Sequence, residues 1–193
     1  TLMNYVLEVT PTPSTIATLP SPYVGNISRL VITRPLVELI ISSSFDIDIT
    51  PRGLDSDGAP TIQMVRERSL RIDNLRATAP ANYMFRSPRT PDAPEIDAWA
   101  RGILSGERNI VAAALELAQT IRRDFTYDPN ATESDTPAID AFRKRHGVCQ
   151  DFAHIMIIAL HSQGLAAAYV SGYLRTLPPP GKPRLVGADA THA

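Results

Sequence analysis

The sequence predicts an α+β fold in which strands come first, helices fill the middle and strands return at the end. Apolar and β-branched residues alternate over much of the first third. Ala, Leu, Glu and Arg dominate the middle at helical spacing, and two short strand-like runs lie between residues 165 and 193. Such segregation of strands from helices is typical of α+β proteins and differs from a βαβ alternation.

Residues 1–90 are predicted to form an N-terminal β-rich domain that resembles a β-sandwich. The runs "NYVLEV" (4–9) and "ISRLVITRPLVELIISSSFDIDI" (27–49) are rich in the residues that strands prefer. "YVGN" (23–26) is predicted as a turn, because Gly and Asn both tolerate positive φ. Pro35 indicates a strand that lies at an edge or begins there.

Two kinds of stretch in the first half carry weaker signals. The run "TIQMVRERSLRIDNLR" (61–76) fits either a strand or a helix, and we favour a strand followed by a loop. Many of the 17 prolines gather in 11–22, 80–94 and 178–183. These three stretches are predicted as loops or linkers.

The helical part of the chain follows residues 91–106, which we predict as a linker and the start of the helical region. Within 97–127, apolar residues recur at the spacing of one helix face. Those residues are Ile110, Ala113, Ala114, Leu117 and Ile121. Glu107 in the first turn, with Arg122 and Arg123 in the last, would suit the helix dipole.

A second helix is predicted at 136–147. Thr136 is a suitable N-cap, Pro137 suits the first helical position, and Gly147 would end the helix. This helix leads directly into the segment that carries Cys149.

A third helix is predicted at about 149–163 and would end at Gly164. The run "LAAAYVSGYL" (165–174) then indicates a strand, "TLPPPGKP" a turn, and "RLVGADATHA" (184–193) a second strand.

Composition bounds the function classes. The 193 residues are 44% hydrophobic and 20% charged, with a formal net charge of −1, so no overall field favours nucleic acid or an anionic membrane. No apolar run is long enough to span a bilayer, and the first residues do not resemble a signal peptide. One cysteine excludes an internal disulfide framework, which favours a reducing, cytoplasmic location.

The single cysteine, Cys149, opens an apolar run directly after a predicted helix end. A helix N-terminus and a nearby imidazolium both stabilise the thiolate, which is the reactive form of cysteine. The free N–H groups of the same helix start suit a developing oxyanion. Free cysteine is also among the most buried residue types, so position alone leaves a nucleophile and a core residue about equally supported.

Four histidines are candidates for the base of such a nucleophile. His146 closes the preceding helix and suits its dipole. His154 lies about 140° around the helix from Cys149, and His161 about 18 Å along it, so both are interpreted as packing or capping residues. Their spacing also lacks an HExxH pattern, and we predict no metal ligand. His192 remains, on a strand that returns after one hairpin, where Cys–His chemistry is workable.

The segments "RHGVCQDFAHIMIIALHSQG", "GLAAAYVSGYL" and "GADATHA" resemble the bacterial branch of the transglutaminase-like superfamily. The resemblance covers roughly 107–193, which we predict as the catalytic core. Residues 23–49 resemble, more loosely, the β domain that precedes this core in bacterial members.

The resemblance implies a papain-like α+β core with a Cys–His–Asp triad, in which Cys149 is the nucleophile and His192 the base. The backbone N–H of Cys149, together with Gln150 and Asp151, is predicted to support the site, with Asp151 anchoring the helix start. Asp189 matches the family's D-A-x-H segment, where it is not the triad acid. It would also point away from His192 on an extended strand. The resemblance implies no cofactor.

The implied activity is attack of a Cys thiolate on a peptide or carboxamide bond of a protein or peptide substrate, through a thioester. Hydrolysis, as in a protease or amidase, is favoured over crosslinking. The alternative is a catalytically inactive module that binds peptides or proteins. A metal site at His154 and His161 is a third, weaker hypothesis. No nucleic acid or membrane partner is expected.

The family places its triad aspartate after the histidine, in a D-P-T-like stretch that does not follow His192 here. We therefore expect this sequence to be a fragment of a longer protein, missing the first strand of its β domain. A triad without its acid loses several orders of magnitude in rate, so the fragment by itself is expected to be inactive.

Overall fold

Paired strands form the first part of the molecule, and helices packed on one another form the second. The computed structural model describes residues 2–21, 26–48, 50, 53, 56–71, 76–174, 180–181 and 190–193. The chain divides into a β unit, Thr1–Leu54 with Arg76–Thr78, and a helical unit, Asp55–Leu75 with Ala79–Ala193.

The β unit contains two antiparallel two-stranded sheets. In the first sheet, β1 (Leu2–Thr10) pairs with β4 (Ile40–Ile47). In the second, β2 (Thr15–Pro20) pairs with β3 (Asn26–Val31). Most side chains of these four strands are exposed, although Phe45 is half-buried.

The strand at 4–9 is confirmed, and two other expectations for this unit need correction. The run 27–49 contains strands, as predicted, but Pro35 neither begins one nor lies in one, since it falls in the connection between β3 and β4. The proline-rich stretch 11–22 was predicted as a loop, yet it contains β2. Proline cannot donate a hydrogen bond to a neighbouring strand, but Pro20 occupies only the final residue pair of the sheet, opposite Asn26, so the pairing before it is unaffected. Of the turn predicted at 23–26, residues 23–25 lie outside the described residues.

The helical unit begins with a helix where a strand was predicted. α1 spans Ile62–Ser69, and the Thr61 hydroxyl caps it by accepting a hydrogen bond from the Met64 N–H at 3.3 Å. Ile62 and Ser69, seven residues apart and therefore on one helix face, are both buried. The prediction of a strand over 61–76 was wrong because capping and burial of this face favour the helix.

The stretch 97–127, in which one helix face was predicted, contains the end of one helix and the whole of another. After a 3-10 helix at Pro80–Tyr83, α2 spans Pro94–Ala100 and α3 spans Ile110–Asp124. The Asn109 side chain caps α3 by accepting from the N–H groups of Val111 and Ala112. Glu107 therefore lies before this helix and not in its first turn.

The apolar face predicted for α3 is confirmed by burial. Ala113, Leu117 and Ile121 are buried, and Ile110 and Ala114 are half-buried. Arg122 and Arg123 lie in the last turn, as predicted.

α4 spans Ala138–Lys144, and both of its ends differ from the prediction. Pro137 is the N-cap, while the Thr136 hydroxyl accepts a hydrogen bond from the Glu133 N–H at 2.9 Å. The helix ends at Arg145, whose φ of 58° lies in the left-handed region. The Arg145 guanidinium lies over the rings of Phe142 and Phe125, which helps to hold this conformation.

Short strands connect these helices to the site. β5 (Thr126–Tyr127) pairs in parallel with β6 (His146–Gly147), so Gly147 belongs to a strand and is not the helix stop. α5 follows at once and spans Cys149–Ser162, and Gly164 lies beyond its end with a φ of +69°, as predicted.

The core of the helical unit is built around α5. Ile155, Ile158 and Ala159 of this helix belong to one buried cluster, which also draws on α1, α2, α3 and α4. Four aromatic rings in or against this cluster meet mostly edge-to-face, with centroids 5.6–5.9 Å apart: Trp99, Phe125, Phe142 and Phe152. α5 is therefore a rigid base for the residues at its N-terminus.

The end of the chain forms a small antiparallel sheet of β7 (Gly172–Leu174) and β8 (Ala190–His192). The strand predicted at 165–174 is thus confined to its last three residues. Of the strand predicted at 184–193, residues 184–189 lie outside the described residues, and Asp189 is among them.

Candidate active site

Cys149 is the first residue of α5, and its side chain is half-buried. Val148 before it is extended and serves as the N-cap, and its carbonyl accepts the first helical hydrogen bond, from the Phe152 N–H at 3.2 Å. The N–H groups of residues 149–151 therefore have no helical carbonyl to pair with. A thiol at this position lies beside unpaired donors and the positive end of the helix dipole.

Asp151 lies in the same turn and is 1% exposed. Its Oδ2 accepts hydrogen bonds from the Val148 N–H at 2.8 Å and from the Thr132 hydroxyl at 2.6 Å. A carboxylate that receives the N-cap N–H is the reciprocal half of a capping box. Asp151 thus ties the residue before Cys149 to the loop that follows β5.

Gln150 reaches the same loop. Its Nε2 donates to the Ser134 carbonyl at 3.0 Å, and that carbonyl also accepts from Arg89 Nη1 at 2.9 Å. The predicted supporting residues therefore share one helical turn with the thiol, and the side chains of both Gln150 and Asp151 hold neighbouring backbone.

His192 lies on β8, directly opposite Gly172 of β7, and its side chain is exposed. Within the described part of the chain, neither the Cys149 sulfur nor the His192 ring makes a hydrogen bond. The structure therefore brings Cys149, Gln150 and Asp151 together but does not join the thiol to the imidazole.

The other three histidines have contacts of their own. His146 is exposed, and its Nδ1 lies 2.8 Å from the Lys144 carbonyl oxygen. The His154 ring packs against the Tyr169 ring, with the centroids 5.3 Å apart and the two planes tilted by 38°. His161 Nε2 lies 2.8 Å from the Tyr83 carbonyl oxygen, so it links the end of α5 to the 3-10 helix. These contacts agree with the packing interpretation of His154 and His161.

The electrostatic environment of His154 is distinctive. Burial lowers its pKa below the ordinary value of 6.5, and the nearby Arg89 acts in the same direction. The Asp151 carboxylate opposes both effects. His154 therefore favours its neutral form and lies within electrostatic reach of the first turn of α5.

The described ranges contain neither a candidate metal cluster nor a helix that could span a membrane. Among them no three His, Cys, Asp or Glu side chains lie close enough together to hold a metal ion. None of the helices in the same ranges combines the length and the apolar character that crossing a membrane requires.

Residues 97–193 match the model of the transglutaminase-like superfamily. The chain belongs to this superfamily. It is 37% identical over 190 residues to an uncharacterized protein of Mycobacterium tuberculosis (strain ATCC 25618 / H37Rv), which covers 97% of this chain and 59% of that protein. A protein of Mycobacterium leprae (strain TN) is 42% identical over 62 residues, covering 32% of this chain and 22% of that protein. The chain thus spans about three-fifths of the M. tuberculosis relative.

A solved structure of low sequence identity shares the fold. It is a crystal structure described as a "Putative Cysteine Protease" from Cytophaga hutchinsonii, with a TM-score of 0.57 and 17% identity, over 100% of this chain and 60% of that chain. The α+β class and the papain-like transglutaminase core predicted from the sequence are confirmed by these matches.

A groove of about 300 Å³ lies in the helical unit of this transglutaminase-like chain. It runs between residues 88–95 and 135–139, with Ile158 of α5 in its lining. Four prolines, Pro88, Pro91, Pro94 and Pro137, give it rigid and largely apolar walls. Two residues that line the groove lie next to Ser134: Asp135 follows it along the chain, and Arg89 donates to its carbonyl. Because Gln150 of α5 donates to the same carbonyl, one end of the groove lies beside the first turn of α5.

Sequence reasoning missed Thr132, Ser134, Arg89 and Tyr169 as parts of this region. Tyr169 lies in a quoted motif, where it was assigned only to a predicted strand, and the other three residues lie outside those motifs. The paired threonine and aspartate are 19 residues apart, so no local spacing could have indicated their contact.

Proposed function

We propose that this transglutaminase-like chain provides an acyl-transfer site that acts on peptide or carboxamide bonds of protein or peptide substrates. Cys149 is the nucleophile, and His192 is the general base and acid. The observation that carries the proposal is the position of the single cysteine at the first residue of α5, beside N–H groups with no helical partner. Membership of the superfamily supports the assignment of both residues.

The chemistry follows from these groups. The Cys149 thiolate adds to the substrate carbonyl, forming a C–S bond, while the N–H groups at the helix start stabilise the oxyanion. The tetrahedral adduct collapses, its C–N bond breaks, and the His192 imidazolium gives its proton to the departing amine. Water, deprotonated by His192, then adds to the thioester, and the carboxylic acid and the thiol are released.

We propose hydrolysis as the main outcome and crosslinking to an amine as the minor one. The shared fold with a structure described as a cysteine protease supports this preference. A glutamine-containing peptide, offered with and without a lysine-like primary amine, distinguishes the outcomes by mass spectrometry. Hydrolysis predicts the free acid and ammonia even with amine present, whereas a dominant new amide would reverse the preference.

The nucleophile itself is tested by labelling the natural full-length chain with iodoacetamide at pH 6, followed by peptide mapping. We expect Cys149 to react at least about tenfold faster than a free thiol such as glutathione, since most of a free thiol is protonated at this pH. Cys149→Ser should lose both labelling and turnover while keeping its far-UV CD spectrum. Labelling at the rate of glutathione would refute an activated nucleophile.

A non-catalytic module that binds peptides is the second candidate. The observation that favours it is that the Cys149 thiol and the His192 ring make no hydrogen bond in the described ranges. Binding of a peptide that survives Cys149→Ala, in a wild-type protein with no turnover, would favour this function.

The single free cysteine also supports a reducing location, and we propose the cytoplasm. Labelling of intact and of lysed cells with a thiol reagent that cannot cross membranes tests this. Reaction of Cys149 only after lysis is expected.

A further inference from the structure

Asp151 is a buried carboxylate whose hydrogen bonds are unevenly distributed. It is 1% exposed, and both of its bonds, from the Val148 N–H and the Thr132 hydroxyl, end on Oδ2. Its Oδ1 is also buried and accepts no hydrogen bond from the described residues. Burying a carboxylate is unfavourable unless its partners compensate, so the two bonds on Oδ2 are strongly held.

Backbone packing leaves this carboxylate little freedom to move. A Cβ added to Gly147 would lie 2.6 Å from Asp151 Oδ2, which is closer than real Cβ atoms approach, and 3.0 Å from Asp151 Cβ, which is an unusually tight contact. The glycine two residues before Cys149 and the aspartate two residues after it therefore pack directly against each other. This contact fixes the path of the chain through the cysteine.

A second connection joins the same loop to the same helical turn. Gln150 Nε2 and Arg89 Nη1 both donate to the Ser134 carbonyl, at 3.0 and 2.9 Å. Thr132 and Ser134 thus hold the loop against α5 at two points, through the two residues that follow Cys149. These two connections tie the loop to the helical turn that carries the thiol.

We propose that Asp151 and Thr132 are positioning residues for the acyl-transfer reaction. Their hydrogen bond holds the loop 128–136 and the first turn of α5 in one arrangement, so that the N–H groups of Cys149 and Gln150 face the carbonyl that the thiolate attacks. This inference rests on the proposed function of Cys149. It adds two residues that act through the helix start and do not touch the substrate.

The decisive measurement compares two reactions of one thiol in the natural full-length chain. With p-nitrophenyl acetate, the thiolate forms a C–S bond to the acetyl carbon and the C–O bond breaks to release p-nitrophenolate. That reaction passes through an oxyanion, whereas alkylation by iodoacetamide displaces iodide without one. The ratio of acylation rate to alkylation rate therefore reports oxyanion alignment, separately from thiol reactivity.

The variants separate hydrogen bonding from charge and from bulk. Asp151→Ala should lower the ratio at least tenfold. Asp151→Asn should keep it within about threefold, because one amide oxygen can take the place of Oδ2 and accept both bonds. Thr132→Val removes the hydroxyl at nearly constant volume and should lower the ratio about threefold to tenfold. Thr132→Ser keeps the hydroxyl and should restore the wild-type ratio.

The outcomes distinguish this inference from the function on which it rests. A wild-type ratio no higher than that of glutathione would refute oxyanion-assisted acyl transfer, and the positioning role with it. A high wild-type ratio that Thr132→Val leaves unchanged would overturn the positioning role alone. Should Asp151→Ala fail to fold, the two Thr132 variants and Asp151→Asn decide the question by themselves.

Discussion

The two units of this chain carry similar apolar residues and bury them to different extents. In the helical unit, Ile62, Leu117 and Ile155 are 0% exposed. In the β unit, Ile16 and Ile41 are 52% and 54% exposed. Every buried residue in the described ranges lies in the helical unit.

The difference shows what strand pairing alone achieves. Two paired strands satisfy much of their backbone hydrogen bonding, but they bury little side-chain surface until another layer covers a face. Helices that pack on several sides of α5 bury apolar surface directly. Stability and precise positioning are therefore expected to reside in the helical unit, which also holds the candidate site.

The largest expected effect is on core packing in the helical unit. Ile155→Ala should lower the free energy of unfolding by about 2–5 kcal/mol, because it removes a fully buried side chain and leaves a cavity. The single tryptophan, Trp99, packs on Phe125 and Phe142 in this unit, so its fluorescence during urea unfolding reports the loss.

Ile41→Ala is the matched control, with the same chemical change at a 54% exposed position of β4. Its effect, followed by far-UV CD, should be at most about 1 kcal/mol. Equal losses for the two variants would contradict the contrast in burial between the units.

A smaller effect is expected at Gly147, inside the helical unit. Gly147→Ala would press a methyl group against Asp151 at 2.6 Å from Oδ2, and we expect a loss of about 1–3 kcal/mol. Gly102→Ala is the control, because an added Cβ there meets nothing within 4 Å. Its effect should stay within about 0.5 kcal/mol.

Urea unfolding measures both glycine variants, and the acylation ratio described above should fall with Gly147→Ala alone. A Gly147 variant as stable and as reactive as the Gly102 variant would show that the contact with Asp151 relaxes without consequence.

The smallest effect concerns pH. Burial lowers the pKa of His154, so the unfolded chain takes up a proton at higher pH than the folded chain does. The contribution of neutral His154 to the free energy of unfolding is therefore fully present above pH 6.5. It is lost as the pH falls below 6.5 toward the pKa of His154 in the folded chain.

His154→Phe keeps an aromatic ring against Tyr169 but cannot take up a proton. We expect it to reduce the loss of stability between pH 7.5 and pH 5, measured by urea unfolding at each pH. An unchanged pH dependence in this variant would assign the effect to other groups.

Local patterns predicted much of the helical unit. Interactions within a few residues account for three correct predictions: the start of α5 at Cys149, the end of that helix before Gly164, and the buried face of α3. The prediction failed at 61–76, where the deciding contacts include the Ile62 N–H bond to the Arg108 carbonyl, 46 residues away along the chain. No local pattern carries such a contact.

The sequence by itself determined the α+β class, the family and the residue that begins the central helix. Caps, helical periodicity and motifs act over short separations, so they can be read without a structure. Only the tertiary structure decided which apolar faces are covered. It also decided that Asp151 binds Thr132 and that, among the described residues, no hydrogen bond joins Cys149 to His192. These features depend on segments that meet only after the chain has folded, and burial and long-range hydrogen bonds require both partners to be in place.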